Sequence, residues 1–207
     1  MALLRQILAP IRRKSFPGSA GYWERRYAKG GNSGAGSYGV IARFKADILN
    51  TFVTEHSVST VIELGCGDGH QLSLAKYPAY VGLDVAPTAL SLCESRFRDD
   101  DTKAFRLYSP GAFRGEADLA LSLDVLLHLV EEDVFETYMR DLFSAANRYV
   151  VIFSPDRDEE NAAHVRYRRF RPWVEEHAVN WKLNAVVENP YKGAESLADF
   201  YFYAREV

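Results

Sequence analysis

Two carboxylates and a glycine turn between them are the chain's clearest chemical signal. The run Val61-Ile62-Glu63-Leu64-Gly65-Cys66-Gly67-Asp68-Gly69 leaves an apolar stretch with glycine at alternate positions and Glu63 two residues before the first. Alternating glycines let the backbone turn sharply and let a ligand approach where a side chain would collide. An ordinary tight turn is the competing account. The dinucleotide fingerprint G-x-G-x-x-G wants a third glycine where His70 stands, and Glu63 would repel a diphosphate while suiting a cationic ligand. Twenty-one residues after Glu63, Asp84 closes Tyr80-Val81-Gly82-Leu83-Asp84-Val85. A carboxylate there accepts hydrogen bonds from both hydroxyls of a ribose or, with Pro87 close behind, caps a helix.

A second pair follows in Leu121-Ser122-Leu123-Asp124-Val125-Leu126-Leu127-His128-Leu129. If a helix starts at Asp124, the four-residue spacing sets Asp124 and His128 on one face, about 6 Å apart along the axis. His128 is the candidate general base, because a near-neutral imidazole can accept a hydroxyl proton. In the alternative, His128 packs and Asp124 caps the helix. Two side chains are too few to assert a metal, so a divalent cation stays open and no metal ligand is assigned. Further on, His164-Val165-Arg166-Tyr167-Arg168-Arg169-Phe170-Arg171-Pro172-Trp173 packs four arginines into six positions. Guanidinium groups beside stacking aromatics suit a phosphate, a carboxylate or a polyhydroxylated acceptor, with His164, Arg166, Tyr167 and Arg169 as substrate contacts. A solvated basic stretch offset by Asp156, Asp158, Glu159 and Glu160 is the alternative.

Short apolar runs alternating with helical periodicity must position these residues, and that alternation predicts an α/β fold with a largely parallel sheet. Strands are expected over Thr60–Leu64, Ala79–Leu83, Lys103–Tyr108, Asp118–Leu123, Tyr149–Phe153, Trp181–Glu188 and Ala198–Ala204. Helices are expected over Tyr22–Lys29, Val40–Glu55, Gln71–Lys76, Pro87–Phe97, Val134–Ala145 and Arg171–Ala178, with a polar loop at Ser154–Asn161. Pro190 and Gly193 between the last two strands predict an antiparallel hairpin at the sheet edge. The glycine-rich segment Gly30–Gly39 reads as a hinge or lid over substrate, with Ser33 as a substrate contact, and no Gly-Lys-Ser/Thr follows to make it a phosphate loop.

Glu63, the three-glycine turn and Asp84 together resemble the class I S-adenosylmethionine-dependent methyltransferase family, by motif over Thr60–Phe153 and by strand order over the whole chain. The resemblance implies a Rossmann-like seven-stranded, mostly parallel sheet with helices on both faces and a C-terminal antiparallel hairpin. It implies S-adenosyl-L-methionine as cofactor and S-adenosyl-L-homocysteine as product, with Glu63, Gly65, Gly67 and Asp68 around the methionine part and Asp84 on the ribose. Cys66, Val85 and Leu123 join them on the cofactor side. The family's acid after the third strand is replaced here by Tyr108-Ser109-Pro110, which leaves Ser109 or a backbone carbonyl to meet the adenine. An aromatic-rich N-terminal helix covers the cofactor in related enzymes, which would bring Tyr22 to the sulfonium and Arg26 to the methionine carboxylate. Asp124 and His128 resemble the D-x-x-x-H of small-molecule members, and the proline-rich aromatic motif of nucleobase N-methyltransferases is missing. The expectation is an O-methyltransferase of a small polar acceptor, favoured as a carbohydrate or glycoside. The alternatives are N-methylation of a small amine, or a non-catalytic binding module.

Composition agrees with this reading. The 207 residues, 47% hydrophobic and 26% charged, suit one buried core. A net charge of −3 gives no general attraction to nucleic acid. Cys66 and Cys93 lack paired spacing for a disulfide scaffold or zinc site, and a reducing, cytoplasmic compartment follows. No apolar run is long enough to span a bilayer. Residues 1–19 read as an N-terminal arm, with a frayed helix, a dimer arm or a membrane-surface anchor as its possible forms. Residues 20–207 read as a single domain: cover helices and lid (20–59), cofactor core (60–153), and acceptor side with hairpin (154–207). A homodimer is compatible with this arm.

Overall fold

The structure, a computed structural model, describes residues 16–206 except 112, 194 and 195, and only the backbone of 160 and 161. Most of the arm, residues 1–15, therefore lies outside the described residues. The chain begins with α1 (Ser19–Ala28) and α2 (Gly39–Glu55), then β1 (Thr60–Leu64), β2 (Ala79–Asp84), α3 (Pro87–Arg96), β3 (Lys103–Leu107) and β4 (Ala117–Leu123). It continues through α4 (Glu132–Ala145), β5 (Ala146–Ser154), β6 (Glu159–Ala162), β7 (Val165–Tyr167), α5 (Arg171–His177), β8 (Trp181–Val187) and β9 (Asp199–Arg205).

Seven strands form one sheet in the order β3-β2-β1-β4-β5-β9-β8. The first five run parallel, while β9 is antiparallel to both β5 and β8, so the C-terminal hairpin closes one side of the sheet as expected. The central strands β1, β4 and β5 are apolar on both faces, which parallel strands covered by helices require. Helix α2 buries Ile41, Leu49 and Val53 with Leu90 of α3 on one face. Helix α4 buries Phe135, Met139 and Leu142 with Trp173 of α5 on the other. The strand order turns back between β1 and β4. Their carboxyl ends open there into the crevice where ligands of such sheets bind.

Three elements depart from the sequence expectation. Over Gln71–Lys76 only a 3₁₀ turn, Leu72–Leu74, forms: the Asn50 side chain takes the Lys76 N–H that a helix would have paired with Leu72, and it also donates to the Leu74 carbonyl, which Pro78 could not have met. No helix starts at Asp124. Its backbone is left-handed (φ 59°), a 3₁₀ turn covers Leu126–His128, and α4 begins only at Glu132. The shared helical face for Asp124 and His128 is therefore replaced by a turn. The polar stretch after β5 is not all loop, since β6 and β7 pair as a separate two-stranded ribbon. Among the described residues no helix is long and apolar enough to cross a membrane, and no group of three His, Cys, Asp or Glu is placed to hold a metal ion.

Candidate active site

Two chambers meet above the carboxyl ends of β1, β2 and β4. The inner one, of about 210 Å³, is lined by Glu63, Gly65, Cys66, Gly67, Asp84, Val85 and Leu123 and is roofed by α1. The Ser19 N–H donates to Glu131 (2.9 Å) and Glu24 receives Thr88 N–H (3.1 Å), so α1 is tied down at its start and at its middle. The outer chamber, of about 220 Å³, is lined by Tyr22, Trp23, Arg26, Leu127, His164 and Tyr167, with Pro155 and Ser196–Ala198 behind. Trp23, Ser33, Asp124 and His128 belong to both walls and mark the junction.

Asp84 is aimed by its own turn. Its two oxygens accept the N–H groups of Gly67 (2.9 Å) and Ala86 (2.9 Å), which opposes the rise in its pKa that burial causes. Because the helix cap is Ala86, Asp84 ends β2 instead of capping α3. Gly67 has a left-handed backbone (φ 59°), and a Cβ there would run into the Ser33 hydroxyl, so the close approach of the glycine-rich segment requires glycine at this position. Glu63 is fully buried under the turn and accepts the Tyr80 hydroxyl (2.7 Å). Burial pushes its pKa up to about 7, against the opposing pull of that hydrogen bond and of Lys45.

The expected lid is anchored. Ser33 N–H donates to Asp68 Oδ2 (2.9 Å), Asp68 N–H donates to Ser33 Oγ (2.9 Å), and the Tyr38 hydroxyl reaches the same carboxylate (2.8 Å). Burial would raise the Asp68 pKa, but these bonds and the His70 N–H together hold it below the usual carboxylate range. Asp68 thus clamps the glycine-rich segment onto the turn and lies off the inner wall.

At the junction His128 Nδ1 lies 3.1 Å from the carbonyl oxygen of His164. A carbonyl only accepts, so Nδ1 carries the hydrogen and Nε2 keeps its lone pair. Trp23 meets the imidazole edge-on at 4.8 Å, and His164 lies parallel to it at 6.1 Å with Tyr22 stacked beyond at 4.4 Å. Burial pushes the His128 pKa below its ordinary value, which leaves the ring neutral at physiological pH. Asp124 accepts Lys45 Nζ through Oδ2 (2.8 Å), while Oδ1 has no partner among the described residues.

The remaining sequence candidates divide. Tyr22, His164 and Tyr167 line the outer chamber, and so does Arg26, whose Nε donates to the Asn32 carbonyl (2.6 Å); none of the four touches the inner wall. Ser109 is exposed and off both walls, and Tyr108 lines the inner chamber instead. Arg166 pairs with Glu132 (3.0 Å), and Arg168 holds the carbonyls of Leu129 and Val130. Arg169 is exposed with its N–H on Asp158, and Arg171 pairs with Asp156 (2.5 Å). The basic run thus braces the outer wall, and Arg26, which meets Asn32 but no carboxylate among the described residues, is the arginine that lines the chamber. Trp23, Tyr27, Lys45 and Gln71 line the inner chamber without having been singled out as site residues. Gln71 leaves Oε1 buried with no partner among the described residues, an acceptor open to a donor. Asp84, Asp124 and Glu131 face a single lysine across this chamber, with Glu63 adding at most part of a charge at neutral pH, a balance that suits a cation carrying N–H donors and opposes a pyrophosphate.

No model of a known protein family matches the chain, and no curated protein sequence does. Solved structures do. The N-methyltransferase NodS from Bradyrhizobium japonicum WM9, in complex with S-adenosyl-L-homocysteine, superposes with a TM-score of 0.70 over 91% of this chain and 98% of its own, at 16% identity. This is the Rossmann-like methyltransferase fold. Magnesium protoporphyrin IX methyltransferase from Synechocystis PCC 6803 is similar over 79% of this chain and 83% of its own (TM-score 0.63, 15% identity). The mitomycin 7-O-methyltransferase MmcR covers 81% of this chain with 55% of its own (TM-score 0.60, 14% identity).

Proposed function

We propose that the protein is an S-adenosylmethionine-dependent O-methyltransferase acting on a hydroxyl of a small polar acceptor, with His128 as general base. The observation that carries this is the His164 carbonyl on His128 Nδ1, which leaves Nε2 free at the one place where both chambers meet. S-adenosylmethionine supplies a methyl group on a positively charged sulfur, and its transfer to oxygen leaves a neutral thioether. Asp84 would hold the ribose, the Gly65–Gly67 turn the methionine part, and Gln71 Oε1 a donor of that part. Asp84 lends the chamber negative character, and Glu63 is a hydrogen-bonding floor beneath it. His128 takes the acceptor's proton as the new C–O bond forms, and the roof formed by α1 excludes water from the junction.

Within this class a carbohydrate or glycoside hydroxyl is the favoured acceptor. Its support is the aromatic wall of Tyr22, Trp23 and Tyr167, which suits the flat face of a ring, and no longer the arginine run. A second reading, N-methylation of a small amine, draws on the likeness to NodS, named an N-methyltransferase. An amine that arrives neutral needs little help from a base. In His128→Ala, turnover should fall by about 10³-fold while calorimetric affinity for S-adenosyl-L-homocysteine stays within about twofold. Turnover unchanged by the substitution would remove His128 from the mechanism and favour the amine. A methyl-transfer screen over glycosides, natural-product hydroxyls and amines supplies the substrate for this comparison.

A further inference from the structure

Lys45 is the chain's most conspicuous charge that this mechanism does not use. It stands in the apolar stripe of α2 between Ile41, Ala42, Ala46 and Leu49, its side chain is 0% exposed, and its ammonium lies 5.3 Å from the Phe153 ring. Burying an ammonium is costly unless a carboxylate meets it, and the carboxylate here is Asp124, at 2.8 Å. Asp124 is itself held in an uncommon state. It is a non-glycine residue with φ 59°, and its N–H is fixed on the Phe153 carbonyl (2.9 Å). Its carboxylate lies so close to Gly36 that a Cβ there would fall 2.5 Å from Oδ2. A strained backbone, a buried cation and a glycine contact all act on one carboxylate, and its remaining oxygen, Oδ1, makes no hydrogen bond among the described residues.

We propose that Lys45 is a positioning residue. Its ammonium fixes Asp124 so that Oδ1 accepts a hydrogen bond from a donor beside the reacting hydroxyl, which makes the acceptor a vicinal diol or an equivalent neighbouring donor. The inference rests on the methyltransferase reading above and deepens it. A hydroxyl has a single proton, and at the reacting oxygen that proton goes to His128 Nε2. Asp124 is therefore left for the neighbouring group, and the two residues divide the acceptor between them. Lys45 holds the Asp124 carboxylate through Oδ2 alone, so Oδ1 stays a full hydrogen-bond acceptor for a donor at the junction, charged or neutral.

Sinefungin, which carries an amine where the donor carries its methyl group, probes this oxygen without any acceptor. Its affinity relative to S-adenosyl-L-homocysteine, measured by calorimetry on the whole chain, reads the hydrogen bond at the junction. Asp124→Asn and Lys45→Met should each reduce sinefungin's advantage about tenfold, with S-adenosyl-L-homocysteine held within twofold. The double variant, which leaves no unpaired buried charge and so also serves if Lys45→Met fails to fold, should match Asp124→Asn alone. Equal weakening of both ligands in the lysine variants would make Lys45 a direct cofactor contact and overturn the proposal. An unchanged ratio, or additive losses in the double variant, would overturn it as well. A wild-type chain that binds neither ligand would instead refute the methyltransferase reading itself.

Discussion

The inner and outer chambers share one junction but are built on different principles. Beneath its α1 roof the inner chamber has a floor of strand ends and the turns that leave them, with Glu63, Gly67 and Asp84 positioned by hydrogen bonds within the consecutive β1–β2 unit. The outer chamber is assembled from segments far apart in the chain. Tyr22 of α1 stacks on His164 near the β6–β7 ribbon, and the His164 carbonyl orients His128 after β4. The first arrangement is rigid because the sheet is rigid, and many ligands of one chemical type can use it. The second is defined only by the packing of three separate segments, which is where a specific acceptor would be selected.

The largest separable effect belongs to the inner chamber's floor. Glu63 carries a pKa of about 7 in the folded protein, against an ordinary 4.5, so the folded state holds this proton more tightly than the unfolded one. That contribution to stability is complete below pH 4.5 and is lost as pH rises through 7, a change of about 3 kcal/mol over the window. Urea unfolding of wild type and Glu63→Gln at pH 5 and pH 8.5 measures it. The glutamine variant should lack this part of the alkaline loss. Parallel slopes in the two proteins would mean that the carboxylate is ionised and solvated in the fold, and that the inner chamber is less closed than its geometry implies.

Asp84 comes next. Loss of its carboxylate in Asp84→Ala should weaken S-adenosyl-L-homocysteine about 30-fold, or about 2 kcal/mol, the worth of charge-assisted hydrogen bonds to a ribose. The rings of the outer chamber should keep their arrangement, which the near-ultraviolet dichroism of Trp23 and its neighbours reports. An undiminished affinity would separate Asp84 from the ligand, and altered ring signals would show that the two chambers are not independent.

The same contrast explains what the sequence could reveal. Glu63, the glycine turn and Asp84 are legible because strand, turn and strand end are consecutive in the chain and each residue's role follows from local geometry. The largely parallel sheet and its C-terminal hairpin were legible for a similar reason, since alternating apolar runs and helices leave few arrangements. Lys45 was equally visible, as a lysine inside the apolar stripe Ile41, Ala42, Ala46, Leu49 and Val53, but only a three-dimensional partner gives it meaning. The missing helix over Gln71–Lys76 depended on Asn50, more than twenty residues away, which no local propensity contains. Asp124 and His128 were found as types, but the shared face depended on a helix starting at Asp124, where a left-handed residue precedes a 3₁₀ turn instead. For the arginine run the sequence offered a ligand surface or a stretch offset by nearby acids; Asp156 does meet Arg171, whereas Glu132, the partner of Arg166 and Arg168, approaches only in the fold.

The smallest effects test that last point most sharply, because they compare two adjacent arginines. Arg168 is buried, holds the carbonyls of Leu129 and Val130, and reaches Glu132 at 3.3 Å, so it ties the segment after β7 to the turn that carries His128. Arg169 is exposed, and its only hydrogen bond among the described residues is a backbone N–H on Asp158, which any residue there would make. Replacing Arg168 with methionine keeps the apolar stem but leaves two carbonyls without a partner, a loss of about 1–2 kcal/mol in unfolding. Arg169→Ala should stay within about 0.5 kcal/mol and leave turnover untouched. If Arg169→Ala instead raised the acceptor's KM tenfold with stability unchanged, the basic run would regain its role as a ligand surface. The outer chamber would then extend past the wall that Arg168 braces, toward solvent and a larger acceptor than the aromatic rings alone enclose.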